Sequence, residues 1–196
     1  MEKLGIGKKA LVTGASRGIG KGIALVMANE GYDLAISYST QKKEAEQVAH
    51  AVETEYGRKC FVFQGNMSEE ETPRRLVTDA IKALGRMDVL VNNAGITLFD
   101  WDIGDDTAKI NLLINIDFRG YLLAATTAAQ HMIDRKIPGN IINITSSRAE
   151  RAYPEDAVYG GLKAALKRAT ESLALKYAPY NIRVNCIAPS ATITRD

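Results

Sequence analysis

The sequence predicts an α/β fold, a doubly wound parallel sheet with helices on both faces. Three observations lead there. Short apolar runs alternate with stretches of helical periodicity along the 196 residues, and parallel strands require crossovers of that kind. A glycine-rich turn, Thr13-Gly14-Ala15-Ser16-Arg17-Gly18-Ile19-Gly20, joins the first run to the first helix. Small, polar or turn-forming residues follow each of the runs, which places them along one edge of the sheet.

Each element has its own warrant. Residues 10–12 (Ala10-Leu11-Val12) are short and wholly apolar, as a buried parallel strand should be. Ile23, Ala24, Val26 and Met27 recur at helical spacing behind the glycine turn. Residues 32–38 read as the second strand, and 41–56 as a helix with Ala45, Val48, Ala49 and Val52 on one face. Residues 60–64 form the third strand. Ser68 and Glu71 predict a capping box at the head of the next helix. That helix runs through Leu76, Val77, Ala80, Ile81 and Leu84 to Gly85, a natural stop. Strands four to six are 89–91, 140–144 and 182–187, and long helices fill 106–136 and 157–178.

Composition removes several function classes. Net charge is +2 with both signs spread along the chain, so neither nucleic acid nor acidic lipid is a favoured partner. Cys60 and Cys186 stand far apart without metal-ligand spacing, so neither a metal site nor a bridge is expected. The N-terminus lacks the apolar core of about 7–15 residues that marks a signal peptide. No apolar run approaches the ~18–20 residues of a membrane span. The expectation is a cytoplasmic globular protein with no membrane partner.

In open sheets of this class, ligands sit outside the carboxyl ends of the strands. The glycine turn brings backbone N–H groups and a helix N-terminus to that edge, where they suit a phosphate. Gly14 allows the sharp turn, Gly18 the close approach of a ligand, and Gly20 tight packing of helix on strand. The spacing, G-x-x-x-G-x-G, is one residue longer in its first gap than the usual dinucleotide fingerprint. A glycine turn without a ligand is the alternative. The other strand ends carry Ser39-Thr40, Asn66, Asn92-Asn93-Ala94-Gly95, Thr145-Ser146-Ser147 and Ala188-Pro189-Ser190.

Tyr159 and Lys163 lie four apart near the start of 157–178, on one helical face. A lysine cation beside a phenol favours the phenolate, lowering the phenol pKa from about 10. A phenol tuned in this way exchanges a proton with a substrate oxygen. Ser146, ending the fifth strand, can donate a hydrogen bond to the same oxygen. Taken singly, the pair also fits surface decoration and Ser146 a turn hydroxyl.

Together and in order, these pieces resemble the short-chain dehydrogenase/reductase family over almost the whole chain. They are Thr13-Gly14-x-x-x-Gly18-x-Gly20, Asn92-Asn93-Ala94-Gly95, Ser146, Tyr159-x-x-x-Lys163, and 185–189. The resemblance implies a Rossmann-like fold, NAD(P) binding, and hydride exchange between nicotinamide and an alcohol or carbonyl. It implies Tyr159 as general acid/base and Ser146 as the group orienting the substrate oxygen. Lys163 would hold the nicotinamide ribose and lower the Tyr159 pKa. Cofactor contacts are expected from Gly14, Ser16, Arg17, Gly18, Ile19, Gly20, Tyr38, Ser39, Asn66, Met67, Asn93, Ala94, Gly95, Tyr159, Lys163 and Pro189. Asn66 is expected toward the adenine, the alternative being the cap of a turn. The outer faces of the two long helices imply a homo-oligomer, a dimer or homotetramer.

Four departures from the family pattern matter. Where the family has a catalytic Asn, three residues before Gly120, this chain has Asp117. Asp117 falls on the apolar stripe of Ile110, Leu113, Ile114, Tyr121 and Ala124, while the neighbouring Asn115 does not, so Asp117 is expected to face inward as the fourth catalytic residue. An ionised Asp117 can hold a relay water and offset the field of Lys163, which predicts an active enzyme with a changed pH optimum. A merely solvated or hydrogen-bonded carboxylate is the alternative. Gly161 and Leu162 replace the usual Ala and Ser inside the Tyr-to-Lys gap, and Ser190 stands where a Gly follows the proline. Last, the family continues past this point with a substrate lid and a seventh strand. The expectation is that 1–196 is one dinucleotide-binding and catalytic domain, that the sequence is incomplete, and that the sixth strand is left as an edge.

NAD enzymes of this kind place an Asp or Glu after the second strand, for the ribose 2′-OH. Here Tyr38, Ser39 and Thr40 stand there, with Lys42 and Lys43 nearby, and Arg17 can pair with a 2′-phosphate. NADP is therefore expected over NAD. Arg148, Glu150, Tyr153 and Pro154 lie where substrate contacts are expected, their charges either binding sugar hydroxyls or facing water. The stretch 147–154 resembles the glucose 1-dehydrogenase branch, and oxoacyl carrier-protein reductases share the framework. The substrate expected is a small alcohol or carbonyl: a sugar, a polyol or a 3-oxoacyl thioester. The competing function is a catalytically silent dinucleotide-binding or scaffold protein, for which Asp117 and the missing C-terminal part speak. Nucleic-acid binding lacks a basic stripe.

Overall fold

The computed structural model describes residues 3–194. Six parallel strands form one sheet in the order β3-β2-β1-β4-β5-β6. They are β1 Lys9–Val12, β2 Asp33–Tyr38, β3 Cys60–Gln64, β4 Val89–Asn92, β5 Asn140–Ile144 and β6 Arg183–Ile187. Each lies within one residue of the apolar run that predicts it. The central strands β1, β2 and β4 are buried on both faces, which is why their runs are nearly continuous, whereas the edge strands β3 and β6 are only partly buried. The order reverses between β1 and β4, and the crevice at such a switch point is where ligands bind.

The pleat sends alternate residues to two separate cores. Ala10, Val12, Leu34 and Ile36 pack under α1 (Gly18–Asn29) and α2 (Lys42–Tyr56), against Ala24, Ala28, Val48 and Val52. Leu11, Ala35, Leu90 and Ile141 face the other way, toward α3 (Thr72–Leu84), α6 (Tyr121–Asp134) and α7 (Ala157–Tyr177). There they meet Val77, Ala80, Ala124, Ala128 and Met132, all buried. Each large apolar side chain so placed contributes about 1.5–3 kcal/mol. Both cysteines are free, and burial, helped by Glu53, pushes the Cys60 thiol up to about 12. No helix among the described residues is long and apolar enough to cross a membrane.

One polar thread crosses the second core. Asn92 of β4 donates to Asn143 of β5 at 2.9 Å, and Asn143 donates to Thr170 of α7 at 2.9 Å. All three are at most 3% exposed. Asn92 also donates to the Tyr121 carbonyl at 3.2 Å, joining α6 to the same thread.

Two sequence expectations need correction. The single helix expected over 106–136 is three pieces: α5 (Thr107–Ile114), a π-helical turn (Asn115–Gly120) and α6. A short α4 (Asp100–Ile103) precedes them. The π turn accommodates an extra residue, and its close is crowded: a Cβ on Gly120 would lie 3.1 Å from the Asn115 carbonyl oxygen. The capping box of Ser68 and Glu71 does not form. The Ser68 hydroxyl donates instead to Asn66 Oδ1 at 2.9 Å, and α3 begins later, at Thr72, with Pro73 in its first turn. Gly85 does end that helix, in the left-handed conformation.

Candidate active site

The carboxyl ends of β1, β2, β3 and β4 open into a groove of about 540 Å³. Its floor is the glycine turn, and the local sequence dictates its shape. Gly14 has φ +64°, and a Cβ there would lie 2.7 Å from Ala94 Cα. Gly18 has φ +58°. A Cβ on Gly20 would lie 2.4 Å from both Asn93 Nδ2 and the Gly14 carbonyl oxygen. Helix α1 therefore sits directly against the strand ends. Thr13 ties the turn to β4: its hydroxyl accepts the amides of Asn93 at 2.9 Å and Ala94 at 3.0 Å. Ser37 Oγ accepts the Gly14 amide at 3.2 Å. Arg17, the N-cap of α1, makes no side-chain cap bond, so the first-turn amides of α1 have no side-chain acceptor there. Uncapped helix amides beneath a glycine-lined groove fit an anionic phosphate group.

The other expected cofactor residues line this groove: Ser16, Arg17, Ile19, Tyr38, Ser39, Asn66, Met67, Asn93, Ala94 and Gly95. Arg17, Ser39 and Thr40 are exposed, Tyr38 is buried, and among the described residues no carboxylate lines the groove beside them. Asn66 lines the groove but also spends its side-chain oxygen on a turn, accepting from the Ser68 amide at 3.1 Å. Sequence reasoning missed Gln41, whose Oε1 accepts from Ser16 Oγ at 3.3 Å, and Thr192 and Thr194, which flank the groove. The position of Gln41 just after Ser39-Thr40 was the available signal.

A second cavity of about 190 Å³ adjoins the groove, sharing Ile19, Asn93, Gly95, Ile96 and Ser190 with it. Ser146, Tyr159, Lys163, Asp117 and Pro189 all line it. Helix α7 delivers Tyr159 and Lys163, and its start is fixed by Asp156, whose carboxylate accepts the Gly160 amide at 3.2 Å. Lys163 is 3% exposed; its ammonium donates to the Ile144 carbonyl at 3.2 Å and lies 5.6 Å from the Tyr159 ring centroid. Ser146 ends the loop from β5, and its oxygen accepts the Arg148 amide at 3.2 Å, leaving the hydroxyl proton to give.

Asp117 points inward from the π turn and is fully buried. One carboxylate oxygen accepts the Ile96 amide at 3.2 Å, and the other stands 2.8 Å from Lys163 Nζ. A Cβ on Gly95 would lie 2.6 Å from that second oxygen, so glycine there makes the room. Burial raises the Asp117 carboxyl above the usual carboxylate range, against the pull of Lys163. For Lys163 burial opposes the charge, but Tyr121, Asp117 and Tyr159 outweigh it and hold the ammonium above its usual range. Tyr121, also buried, has its phenol pushed up by burial, and its ring centroid lies 5.2 Å from Lys163 Nζ.

The charges expected at the substrate are committed elsewhere. Arg148 pairs with Asp156 at 3.1 Å and is flanked by the rings of Phe99, 4.9 Å away, and Tyr153, 4.4 Å away. Glu150 pairs with Lys167 of α7 at 2.5 Å. Both serve to bind the 147–156 loop to its surroundings. Tyr153 is 41% and Trp101 62% exposed, and Trp101 stacks on Phe99 at 4.7 Å.

Comparison with known proteins agrees with this geometry. The family model described as short chain dehydrogenase matches residues 8–195. Glucose 1-dehydrogenase 2 of Bacillus subtilis is 33% identical, covering 96% of this chain and 73% of that protein. A 3-oxoacyl-[acyl-carrier-protein] reductase of Staphylococcus aureus is 34% identical, covering 95% and 75%. Among solved structures, a short chain dehydrogenase from Burkholderia cenocepacia in complex with NADP superposes with a TM-score of 0.89 at 34% identity, covering 96% of this chain and 76% of that one.

Proposed function

The chain belongs to the short-chain dehydrogenase family, and from that premise we propose that it exchanges a hydride between NADP(H) and a small secondary alcohol or carbonyl compound. The observation that carries the reading is the convergence of Ser146, Tyr159 and Lys163 on one cavity that opens into the glycine-floored groove. Ser146 holds the substrate oxygen through its free hydroxyl proton, and Tyr159 gives that oxygen a proton or takes one from it. Lys163 orients the ribose, and the first-turn amides of α1 hold the phosphates. The nicotinamide, when bound, supplies or accepts the hydride. Arg17 beside Ser39 and Thr40, with no acidic residue among them, supports NADP over NAD.

The relatives named above act on glucose and on 3-oxoacyl thioesters. For this chain, the pairing of Arg148 and Glu150 away from the cavity favours a small uncharged substrate. Exposed apolar side chains on α7 and α5, Leu175 at 80% and Leu112 at 36%, support a homo-oligomer joined through these helices. The test is oxidation and reduction of the nicotinamide chromophore across a panel of sugars, polyols, small ketones and oxoacyl thioesters. Turnover is expected with NADP(H) and is expected to vanish in Tyr159→Phe. Cofactor binding without turnover of any compound would instead mark a silent dinucleotide-binding protein.

A further inference from the structure

Lys163 is not a free cation in this fold. Four elements surround its ammonium. The π turn supplies Asp117 at 2.8 Å, β5 the Ile144 carbonyl at 3.2 Å, α6 the Tyr121 ring at 5.2 Å, and α7 itself the Tyr159 ring at 5.6 Å. Among the described residues, Asp117 is the sole carboxylate lining the cavity and Lys163 the sole cation. The side chains of the pair are 0% and 4% exposed, so water screens their interaction little. Burial pushes the Tyr121 phenol up, so it keeps its proton at neutral pH. The site therefore sums to zero while Tyr159 keeps its proton, and to minus one once the proton leaves.

We propose that Asp117 is a positioning residue that closes Lys163 into a neutral ion pair, so that the cavity offers no uncompensated positive charge to a phenolate at Tyr159 and the site works as a carbonyl reductase. This rests on Tyr159 being the acid/base of the proposed function, and adds the direction in which it acts. During reduction the Tyr159 O–H bond breaks and an O–H bond forms on the substrate oxygen. The carbonyl carbon takes the hydride and its electron pair from the reduced nicotinamide, and water re-protonates the phenolate. Alcohol oxidation needs the phenolate first, and an ionised Asp117 disfavours a second negative charge beside the same lysine.

Two readouts test this. The first needs neither cofactor nor turnover: titration of the phenolate absorbance in the free protein, with the Tyr159→Phe curve subtracted to isolate Tyr159. Asp117→Asn keeps the shape and an acceptor for the Ile96 amide, but leaves Lys163 unopposed. Its Tyr159 transition is expected about one pH unit lower than in the unmodified protein. Gly95→Ala, whose methyl would press on the Asp117 oxygen from 2.6 Å, is expected to move the transition the same way by less, and it serves if the first variant does not fold. The second readout is the pH profile of kcat/KM for reduction, whose alkaline limb should move with the titration. Superimposable titrations of the Asp117→Asn and unmodified proteins would overturn the proposal. A shifted titration in a protein that reduces nothing would leave the ion pair standing and overturn the enzymatic reading instead.

Discussion

The carboxylate of Asp156 accepts the amide of Gly160 at 3.2 Å, and this contact sets the first turn of the helix that carries Tyr159. A Cβ on Gly160 would lie 2.8 Å from Asp156 Oδ2, so the cap and the glycine require each other. Arg148 completes the arrangement from the other side at 3.1 Å. Asp156→Ala is expected to cost about 1–2 kcal/mol in cap energy alone, read as a lower urea midpoint at unchanged slope. It should also lower kcat, because Tyr159 loses its fixed place.

Gly20→Ala would put a methyl 2.4 Å from both Asn93 Nδ2 and the Gly14 carbonyl oxygen. Overpacking of this kind costs about 1–3 kcal/mol. Thermal melts should show the loss. Calorimetric titration should show weaker NADP binding, since α1 is pushed away from the groove it floors.

Arg17 is the exposed cation inside the glycine turn. A charge-assisted bond to a 2′-phosphate is worth about 1.5–3 kcal/mol, so Arg17→Ala should weaken NADP binding by roughly tenfold or more. NAD binding should change little. Equal losses for both dinucleotides would assign Arg17 to the shared pyrophosphate instead.

Asp33 joins the N-terminal ends of β1 and β3, paired with Lys9 and, at 2.7 Å, with Arg58. Burial works to raise its pKa, but the Lys9 hydrogen bond, the Lys59 amide and the Arg58 and Lys9 charges prevail and hold it below 3.8. Its contribution is therefore complete above the ordinary carboxylate range and is lost as pH falls through the depressed value. Denaturation midpoints of the unmodified protein should drop in that acid window, and Asp33→Asn should show a shallower drop there.

Much of the fold is readable because parallel strands are short, apolar and followed by turns. Residues 60–64 and 140–144 need no adjustment at either end. The π turn escapes such reading. Its apolar stripe through Leu113, Asp117, Tyr121 and Ala124 is compatible with an unbroken helix, and nothing local marks the added residue. The inward direction of Asp117 survives the error, because the stripe faces the core on either side of the break. The capping box fails because the helix starts later, at Thr72, out of reach of an N-cap at Ser68, whose hydroxyl donates to Asn66 within the preceding turn. Of the site, the glycine turn and the Tyr159–Lys163 pair are legible from spacing. The roles of Arg148 and Glu150 are not, since Asp156 and Lys167, which claim them, become neighbours only once the loop folds onto α7.

The thread from Asn92 through Asn143 to Thr170 acts as a dowel. Apolar side chains of like volume would fill the same space, but they would tolerate sliding, whereas amide groups out of water accept only one alignment. Thr170 lies seven residues beyond Lys163, two turns along the same helical face. An error of one residue in seating this helix would swing both the phenol and the ammonium out of the crevice. Fidelity of assembly, more than tightness, is what three buried polar groups secure here.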